Sequence, residues 1–106
     1  MKTTPVEVNT VCGNKDNALT IGRVIVAARL AACYHVDKIE TCYWWQGNLK
    51  DAVEYKLKFL TLEKHVDAIL EKIREYHTYE LPAIWAMEFV GGEDGFIRWI
   101  ESETRS

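Results

Sequence analysis

The 106-residue chain lacks a cluster of basic residues. Its 13 Lys and Arg are scattered and are outnumbered by 16 Asp and Glu, which gives a net charge of −3. A nucleic-acid binder needs a basic patch that neutralises phosphates, so we do not expect nucleic acid as a partner. Long apolar runs are also absent, since the most apolar stretch, Val24 to Cys33, is interrupted by Arg29 and is too short to span a bilayer. With no signal-peptide pattern at the N-terminus, we expect a cytoplasmic protein without membrane contacts.

Cysteine is scarce and follows no familiar spacing. The three cysteines, Cys12, Cys33 and Cys42, are an odd number without zinc-finger spacing. The chain is long enough to fold without a disulfide framework, so we expect reduced thiols. The sequence also has no Gly-rich phosphate loop and no His-Glu-x-x-His, Gly-x-Ser-x-Gly or Cys-x-x-Cys motif. Catalysis therefore has no direct support, and we expect that the protein is not an enzyme.

The overall composition is that of a globular domain. Hydrophobic residues make up 48% of the chain and charged residues 27%, close to the averages for soluble globular proteins and unlike those of disordered or fibrous chains. Because independently folding units cluster near this length, we expect one domain that covers residues 1–106.

Hydrophobic periodicity predicts the element order β-α-β-β-α-β with a short helix at the end. The predicted elements are a strand over Val6–Val11, a helix from Asp16 or Asn17 to Cys33, strands over Val36–Trp45 and Val53–Phe59, a helix over Leu62–Ile73, a strand over Ile84–Val90 and a final helix from Glu93 or Asp94 to Ile100. This order is typical of the ferredoxin-like α+β fold, in which a four-stranded antiparallel sheet carries two helices on one face.

Aromatic residues are concentrated in the hairpin formed by the second and third predicted strands. Trp44 and Trp45 are adjacent and point to opposite faces of a strand, so at most one of them packs under the helices. Together with Tyr43 they predict an exposed apolar surface, and self-association is the simplest way to remove unpaired sheet edges. We therefore expect a homo-oligomer. The alternative is that the second Trp packs locally in a bulge or a twisted strand end.

The densest polar cluster lies between the second helix and the last strand. The segment from His77 to Glu80 supplies an imidazole, the phenol of Tyr79 and a carboxylate, which are groups that ligate metal ions or transfer protons. The alternative is that His77 caps the second helix and that Tyr79 packs on the sheet.

Cys12 and Glu54 extend this cluster if distant segments converge. Cys12 ends the first strand and Glu54 lies on the third, and with His77 they form a ligand set that suits copper or zinc. The alternative is that Cys12 is a small buried hydrophobe and that Glu54 is a solvated or interface-paired carboxylate.

The other cysteine and histidine side chains give no sign of a site. Cys33 is placed on the apolar side of the first predicted helix, where a thiol packs as a small hydrophobe. His35 and His65 have no sequence neighbours that suggest a ligand set, so we expect both at the surface.

Five short motifs follow one another along the chain. They are Leu30-Ala31-Ala32-Cys33, Tyr43-Trp44-Trp45-Gln46-Gly47, Glu54 at the head of an alternating strand, His77-Thr78-Tyr79 followed by Pro82, and Trp99 in the last helix. In this order they resemble the CutA family, which is described as divalent-cation tolerance proteins. The resemblance covers about residues 6 to 101. It implies a ferredoxin-like subunit in a tight homotrimer, similar in architecture to the PII signalling proteins, whose hairpins reach across to neighbouring subunits.

The resemblance also implies a role in tolerance to copper and other divalent metal ions, while a eukaryotic branch is associated with membrane anchoring of acetylcholinesterase. His77 and Tyr79 match the family's His-Pro-Tyr motif, and Glu54 matches its acidic residue at the start of the third strand. Cys12 matches a cysteine that only some members have. The copper-associated cysteine of the bacterial type falls at Thr10.

The chain departs from the family pattern at several positions. Thr78 replaces the usual Pro, Ala83 stands where a Glu commonly follows, and Leu60 replaces a Lys. The stretch from 33 to 45 is one residue short, with no Pro at Asp37. The lost Glu is a lost potential ligand, so we expect a divergent member with an altered ion site.

The leading interpretation is a trimeric, non-enzymatic protein that binds a divalent metal ion, copper or zinc, in a cleft between subunits. A second interpretation is a sensor of a small metabolite or anion that signals to an unidentified protein partner. A third is a small enzyme that uses His77, Tyr79 or Glu80 for proton transfer in an intersubunit pocket. The candidate metal ligands are His77, Glu54 and Cys12, and the candidate pocket or interface residues are Tyr79, Glu80, Tyr43, Trp44 and Trp45.

Overall fold

The computed structural model of the protein describes residues 3–106. Over this range the elements are β1 (Pro5–Cys12), α1 (Lys15–Ala27), β2 (Cys33–Trp45), β3 (Asn48–Leu62), a 3-10 helix (Glu63–His65), α2 (Val66–Tyr76), β4 (Ile84–Glu88) and α3 (Asp94–Glu103). The four strands form one sheet in the order β2-β3-β1-β4, and all neighbouring pairs are antiparallel. The predicted ferredoxin-like α+β fold is confirmed. Within this range no helix has the length and apolar character needed to cross a membrane.

Helices α1 and α2 cover one face of the sheet. The register places Val8 opposite Phe59, and antiparallel partners point to the same side, so the even-numbered side chains of β1 and the odd-numbered ones of β3 share this face. The core between helices and sheet consists of fully buried side chains, namely Val8, Cys12, Ala18, Ile21, Ile25, Leu57, Phe59, Ile69 and Ile73. Their removal from water is the main force that holds the helices on the sheet.

The opposite face of the sheet carries α3 at one end. Ile100 of α3 packs against Leu60 and Leu62 of β3 in a second, smaller cluster. Farther along the same side of β3 lie Lys56 and Lys58, as the alternating pattern predicts. This face therefore changes from apolar under α3 to charged along the middle of the sheet.

The β2–β3 hairpin reaches well beyond the central strand. Its two-residue turn consists of Gln46 and Gly47, with φ of 49° and 78°, the conformation that tight hairpin turns favour. Strand β1 ends at Cys12, opposite Tyr55, whereas β3 pairs with β2 back to Asn48. The predicted third strand was five residues too short at its beginning, because residues 48–52 gain their strand conformation from cross-strand pairing and not from an apolar alternation.

The prediction that α1 continues to Cys33 was wrong. The helix ends at Ala27, and Arg29 adopts a left-handed φ of 59°. The carbonyl of Arg29 accepts a hydrogen bond from the backbone N–H of Arg105 at 2.8 Å, so a tertiary contact holds the turn. Cys33 is instead the first residue of β2 and packs against the cluster that contains Leu60.

Two further predictions concern histidines. His35 is exposed, as expected. The surface position expected for His65 was wrong, because this residue ends the 3-10 helix and is only 5% exposed. Burial lowers the pKa of His65, and a hydrogen bond with the backbone of Arg105 acts in the opposite direction.

Candidate functional site

A cavity of about 600 Å³ lies beside the hairpin, where β2 and β3 continue past the end of β1. It is bounded by the end of β1, by the hairpin strands and by the segment between α2 and β4. Its volume is within the range of small-molecule sites. We call this cavity the hairpin pocket, and the side chains that give it polarity and aromatic walls are Tyr43, Trp45, Glu54, Tyr79 and Glu80.

Glu54 is the buried acidic group of the pocket, with only 6% of its surface exposed. The hydroxyl of Thr41 donates a hydrogen bond to Oε1 at 2.6 Å, and the phenol of Tyr79 donates to Oε2 at 2.7 Å. Each carboxylate oxygen thus has one donor, which is how a buried carboxyl group keeps its desolvation cost low. The two hydroxyl groups fix the orientation of the carboxyl group.

Tyr79 reaches Glu54 because Gly13 leaves room for its ring. A Cβ atom at position 13 would lie 2.9 Å from the ring and from the hydroxyl of Tyr79, closer than carbon atoms pack. Burial, and then the hydrogen bond to Glu54, raise the pKa of the Tyr79 phenol. The phenol therefore keeps its proton at neutral pH and acts as a donor.

His77 joins the second helix to the end of β1. Its backbone N–H donates to the carbonyl of Ile73 at the C-terminal end of α2. Its Nε2–H donates to the carbonyl of Val11 at 2.8 Å. The other ring nitrogen, Nδ1, accepts a hydrogen bond from the backbone N–H of Tyr79 at 3.0 Å. Burial lowers the pKa of the His77 imidazole, which agrees with a neutral ring that donates through one nitrogen and accepts through the other. His77 thus positions the segment that carries Tyr79.

Cys12 faces the core between helices and sheet and is fully buried. Burial, and then the nearby charge of Glu54, raise the pKa of its thiol to about 11. The thiolate is the form that binds metal ions, and at neutral pH this thiol is protonated. Cys12 therefore behaves as the small buried hydrophobe of the alternative interpretation.

The three predicted metal ligands do not form a cluster, since Cys12 lies on the helix-covered face of the sheet and Glu54 on the opposite face, where it lines the hairpin pocket. Among residues 3–106, no group of three or more His, Cys, Asp or Glu side chains is arranged to hold a metal ion. Both nitrogens of His77 are hydrogen-bonded, and Cys12 keeps its proton. Glu54 is therefore the member of the predicted set that can offer a ligand atom to a metal ion in this arrangement. The residues of one chain do not fit a complete metal site, and the ligand set stays a prediction.

The apolar side chains of the hairpin are exposed. Trp44 is 73% exposed and Trp45 is 36% exposed, so neither packs under the helices. We call the exposed set the hairpin ribbon, which consists of Tyr43, Trp44, Trp45, Leu49 and Val53. A contiguous exposed apolar surface of this kind marks an association or binding surface.

Sequence reasoning missed two residues that build the site. Thr41 is 13 residues from Glu54 along the chain. The hairpin register places Ile39 opposite Glu54 and Thr41 opposite Ala52, so Thr41 and Glu54 are diagonal neighbours on one face of the hairpin. A two-residue turn at 46–47 would have indicated this pairing. The contact between Gly13 and Tyr79 has no signal in the sequence, because it joins two separate loops.

Comparison with known proteins gives consistent matches over nearly the whole chain. The family model described as CutA1 divalent ion tolerance protein matches residues 6–103. The chain is 32% identical over 93 residues to Protein CutA 1, chloroplastic, of Oryza sativa, which covers 87% of this chain and 52% of that protein. It is 32% identical over 87 residues to the divalent-cation tolerance protein CutA of Thermotoga maritima, with 82% and 86% covered. The chain thus spans about half the length of its rice relative.

Solved structures agree with the fold. The crystal structure of CutA1 from Oryza sativa superposes with a TM-score of 0.91 at 29% identity and covers 96% of this chain and 94% of that one. The crystal structure of CutA from Xylella fastidiosa gives a TM-score of 0.90 at 29% identity, with 95% and 98% covered.

Proposed function

The chain belongs to the CutA1 family of divalent ion tolerance proteins, and from this premise we propose that it is a non-enzymatic homotrimer that binds divalent cations such as copper(II) or zinc. The observation that carries the proposal is Glu54, a buried carboxyl group held between two hydroxyl donors beside the exposed hairpin ribbon. We propose that neighbouring subunits complete the ion site, because the described residues of one chain hold no group of three ligands.

The trimer is supported by the hairpin ribbon. Its tryptophans and its aliphatic side chains are exposed on a hairpin that projects beyond the rest of the sheet. Exposed aromatic side chains are typical of the cores of protein interfaces. A neighbouring subunit would cover them, and its ligands would then come close to Glu54. The cytoplasmic location stays a prediction.

The ion site is supported by the charges of the pocket. Glu54 and Glu80 line it, and among residues 3–106 no Lys or Arg does. Carboxylate oxygens bind divalent cations, and zinc and copper also accept imidazole and thiolate. His77 and Cys12 remain proposed ligands on the condition that the ring exchanges a hydrogen bond for the ion and the thiol loses its proton.

The experiment is calorimetric titration of the protein with copper(II) and with zinc. Size-exclusion chromatography with light scattering measures the mass of the oligomer. We expect a mass of three subunits and binding that Glu54→Gln weakens by about tenfold or more, since the variant removes the charged ligand. Glu40→Gln is the matched control, because Glu40 is exposed and is not among the residues that line the pocket. A monomer, or equal affinity in wild type and Glu54→Gln, would contradict the proposal.

A second candidate function is sensing of a small molecule, and it is favoured by the size and aromatic walls of the hairpin pocket. The lack of Lys and Arg among the described lining residues argues against an anionic ligand. The enzyme interpretation has less support, since the phenol of Tyr79 and both ring nitrogens of His77 are held by protein groups. A ligand would have to displace these protein groups before it exchanged a proton with either side chain.

A further inference from the structure

We propose that the hairpin pocket binds an organic cation, an ammonium group carried on a small apolar body. The inference rests on the second function proposed above, that this pocket takes a small molecule, and it is independent of metal binding. It follows from the charge balance of Glu54, from the aromatic walls and from the shape of the cavity.

Glu54 is a buried acid without a cationic partner. In the described part of the chain its carboxylate forms no ion pair, and its hydrogen-bond donors are the neutral hydroxyls of Thr41 and Tyr79. Buried carboxylates are normally paired with a cation, because hydroxyl donors replace only part of the lost hydration. A cationic ligand would supply the missing partner.

The nearest lysine on the same side of β3 does not supply this charge. Lys56 is two residues beyond Glu54, but its Nζ lies over the ring of Trp85, 5.6 Å from the ring centre. Trp85 belongs to β4, at the opposite edge of the sheet from the hairpin. The ammonium group of Lys56 is thus drawn away from the pocket.

The carboxylate still has acceptor capacity toward the cavity. A carboxylate offers about four acceptor positions, and two are used by the hydroxyls of Thr41 and Tyr79. An ammonium group in the pocket would donate to a remaining position and form a charge-assisted hydrogen bond, which is stronger than a neutral one.

The walls of the pocket favour the same charge. The rings of Tyr43, Trp45 and Tyr79 line it, and the faces of such rings attract ammonium groups. Glu80 adds a second negative charge at the pocket, and none of the lining residues in the described range is positively charged. An anion would meet two carboxylates and no counter-charge from these residues, so the pocket discriminates by repulsion as well as by attraction.

The shape of the cavity requires more than a bare ammonium ion. A volume of about 600 Å³ greatly exceeds one ammonium group, and apolar side chains such as Val11, Leu81 and Ala83 form part of the walls. A ligand of matching chemistry places its charge near Glu54 and its apolar part against these side chains. Aryl-alkyl amines combine both features.

The test compares three probes of similar size on the full chain in amine-free buffer at pH 7. Phenethylamine is protonated at this pH, 2-phenylethanol is its neutral counterpart and 3-phenylpropionate is an anionic one. We expect the amine to bind at least about tenfold more tightly than the alcohol and the alcohol to bind more tightly than the anion, by calorimetric titration. Equal affinity for amine and alcohol, or no binding of any probe, would overturn the inference on the wild-type protein alone.

Variants then assign the preference to Glu54. Glu54→Gln should bring amine and alcohol to similar affinity, whereas Glu40→Gln should keep the wild-type order. Trp45→Leu should weaken binding of the amine more than that of the alcohol, because it removes an aromatic face but keeps an apolar side chain. Preference for the amine that survives in Glu54→Gln refutes the assignment.

The outcome is separable from that of metal binding. Binding of phenethylamine without binding of zinc or copper(II) supports this inference and contradicts the ion site. Binding of the metals, together with equal affinity for the three organic probes, supports the ion site and contradicts this inference.

Discussion

The helix-covered face of the sheet and the hairpin ribbon use apolar side chains in opposite ways. Between the helices and the sheet, Phe59 of β3 and Ile73 of α2 have no exposed surface. In the ribbon, Trp44 is 73% exposed and Leu49 is 56% exposed. One chain completes the first surface and leaves the second open, so the stability of the subunit resides in the core, while the ribbon and the pocket beside it are available for partners and ligands.

The largest expected effect tests this division directly. Phe59→Ala removes a fully buried ring and should lower the free energy of unfolding by about 3–5 kcal/mol, through lost burial and the cavity left behind. Trp44→Ala removes a larger side chain that has few contacts within its own chain. It should change the free energy of unfolding of the isolated subunit by less than about 0.5 kcal/mol.

Urea denaturation at several protein concentrations measures both effects. If the ribbon joins subunits, Trp44→Ala should reduce the dependence of the midpoint on protein concentration, since assembly stabilises the folded subunit by mass action. A cost of Trp44→Ala equal to that of Phe59→Ala at the lowest concentration would show that the ribbon belongs to the core.

The fold was predictable because its strongest signals are local. Strict alternation from Val53 to Phe59 predicts a strand with one apolar face, and the spacing of Ile69 and Ile73 predicts an amphipathic helix. The end of α1 was not predictable. No Gly or Pro marks it, and the turn at Arg29 depends on a hydrogen bond from Arg105 near the other end of the chain.

The residues around the pocket were partly predictable, and their bonding was not. The structure brings Tyr79, a predicted pocket or interface residue, into contact with Glu54. The sequence predicts that Cys12, His77 and Glu54 converge as metal ligands, and this ligand set stays a prediction. The sequence could not show that both nitrogens of His77 are occupied, because one partner is a backbone carbonyl of Val11, 66 residues away. Backbone partners leave no mark in side-chain composition.

A second test compares glycines of the two kinds of environment. Gly22 is buried in α1, and a Cβ there would lie 2.7 Å from the ring of Tyr34. Gly22→Ala should lower the free energy of unfolding by about 1–2 kcal/mol, because overpacking exceeds the gain in helix propensity. Gly95 lies in α3, and a Cβ there would have open space within 4 Å.

Gly95→Ala should therefore raise the free energy of unfolding by about 0.4–1 kcal/mol, since it restricts only the unfolded chain. Thermal unfolding of both variants at one protein concentration measures the difference. The same sign for both substitutions would mean that packing against Tyr34 does not determine the effect.

A third test compares two asparagines. Asn14 caps α1, and its Oδ1 accepts a hydrogen bond from the N–H of Asn17 at 2.8 Å. Asn14→Ala should cost about 1 kcal/mol, and Asn14→Ser should restore most of it. Asn48 lies in the exposed hairpin and donates a longer bond of 3.3 Å to Gln46, so Asn48→Ala should cost less than about 0.5 kcal/mol in urea denaturation. Equal losses in the free energy of unfolding for Asn14→Ala and Asn48→Ala would contradict the expected difference between the helix cap and the exposed hairpin.

The smallest expected effect is the dependence of stability on pH. Burial lowers the pKa of both His65 and His77, so the folded state binds fewer protons than the unfolded state just below the ordinary pKa of about 6.5. Their contribution to stability is complete above that pH and is lost as the pH falls below it. His77→Gln should flatten part of this decline in urea midpoints measured from pH 7.5 to 5, whereas replacement of the exposed His35 by Gln should leave the curve unchanged. A curve for His77→Gln that falls as steeply as the wild-type curve would show that the imidazole at the pocket is not held neutral by its contacts with Val11 and Tyr79.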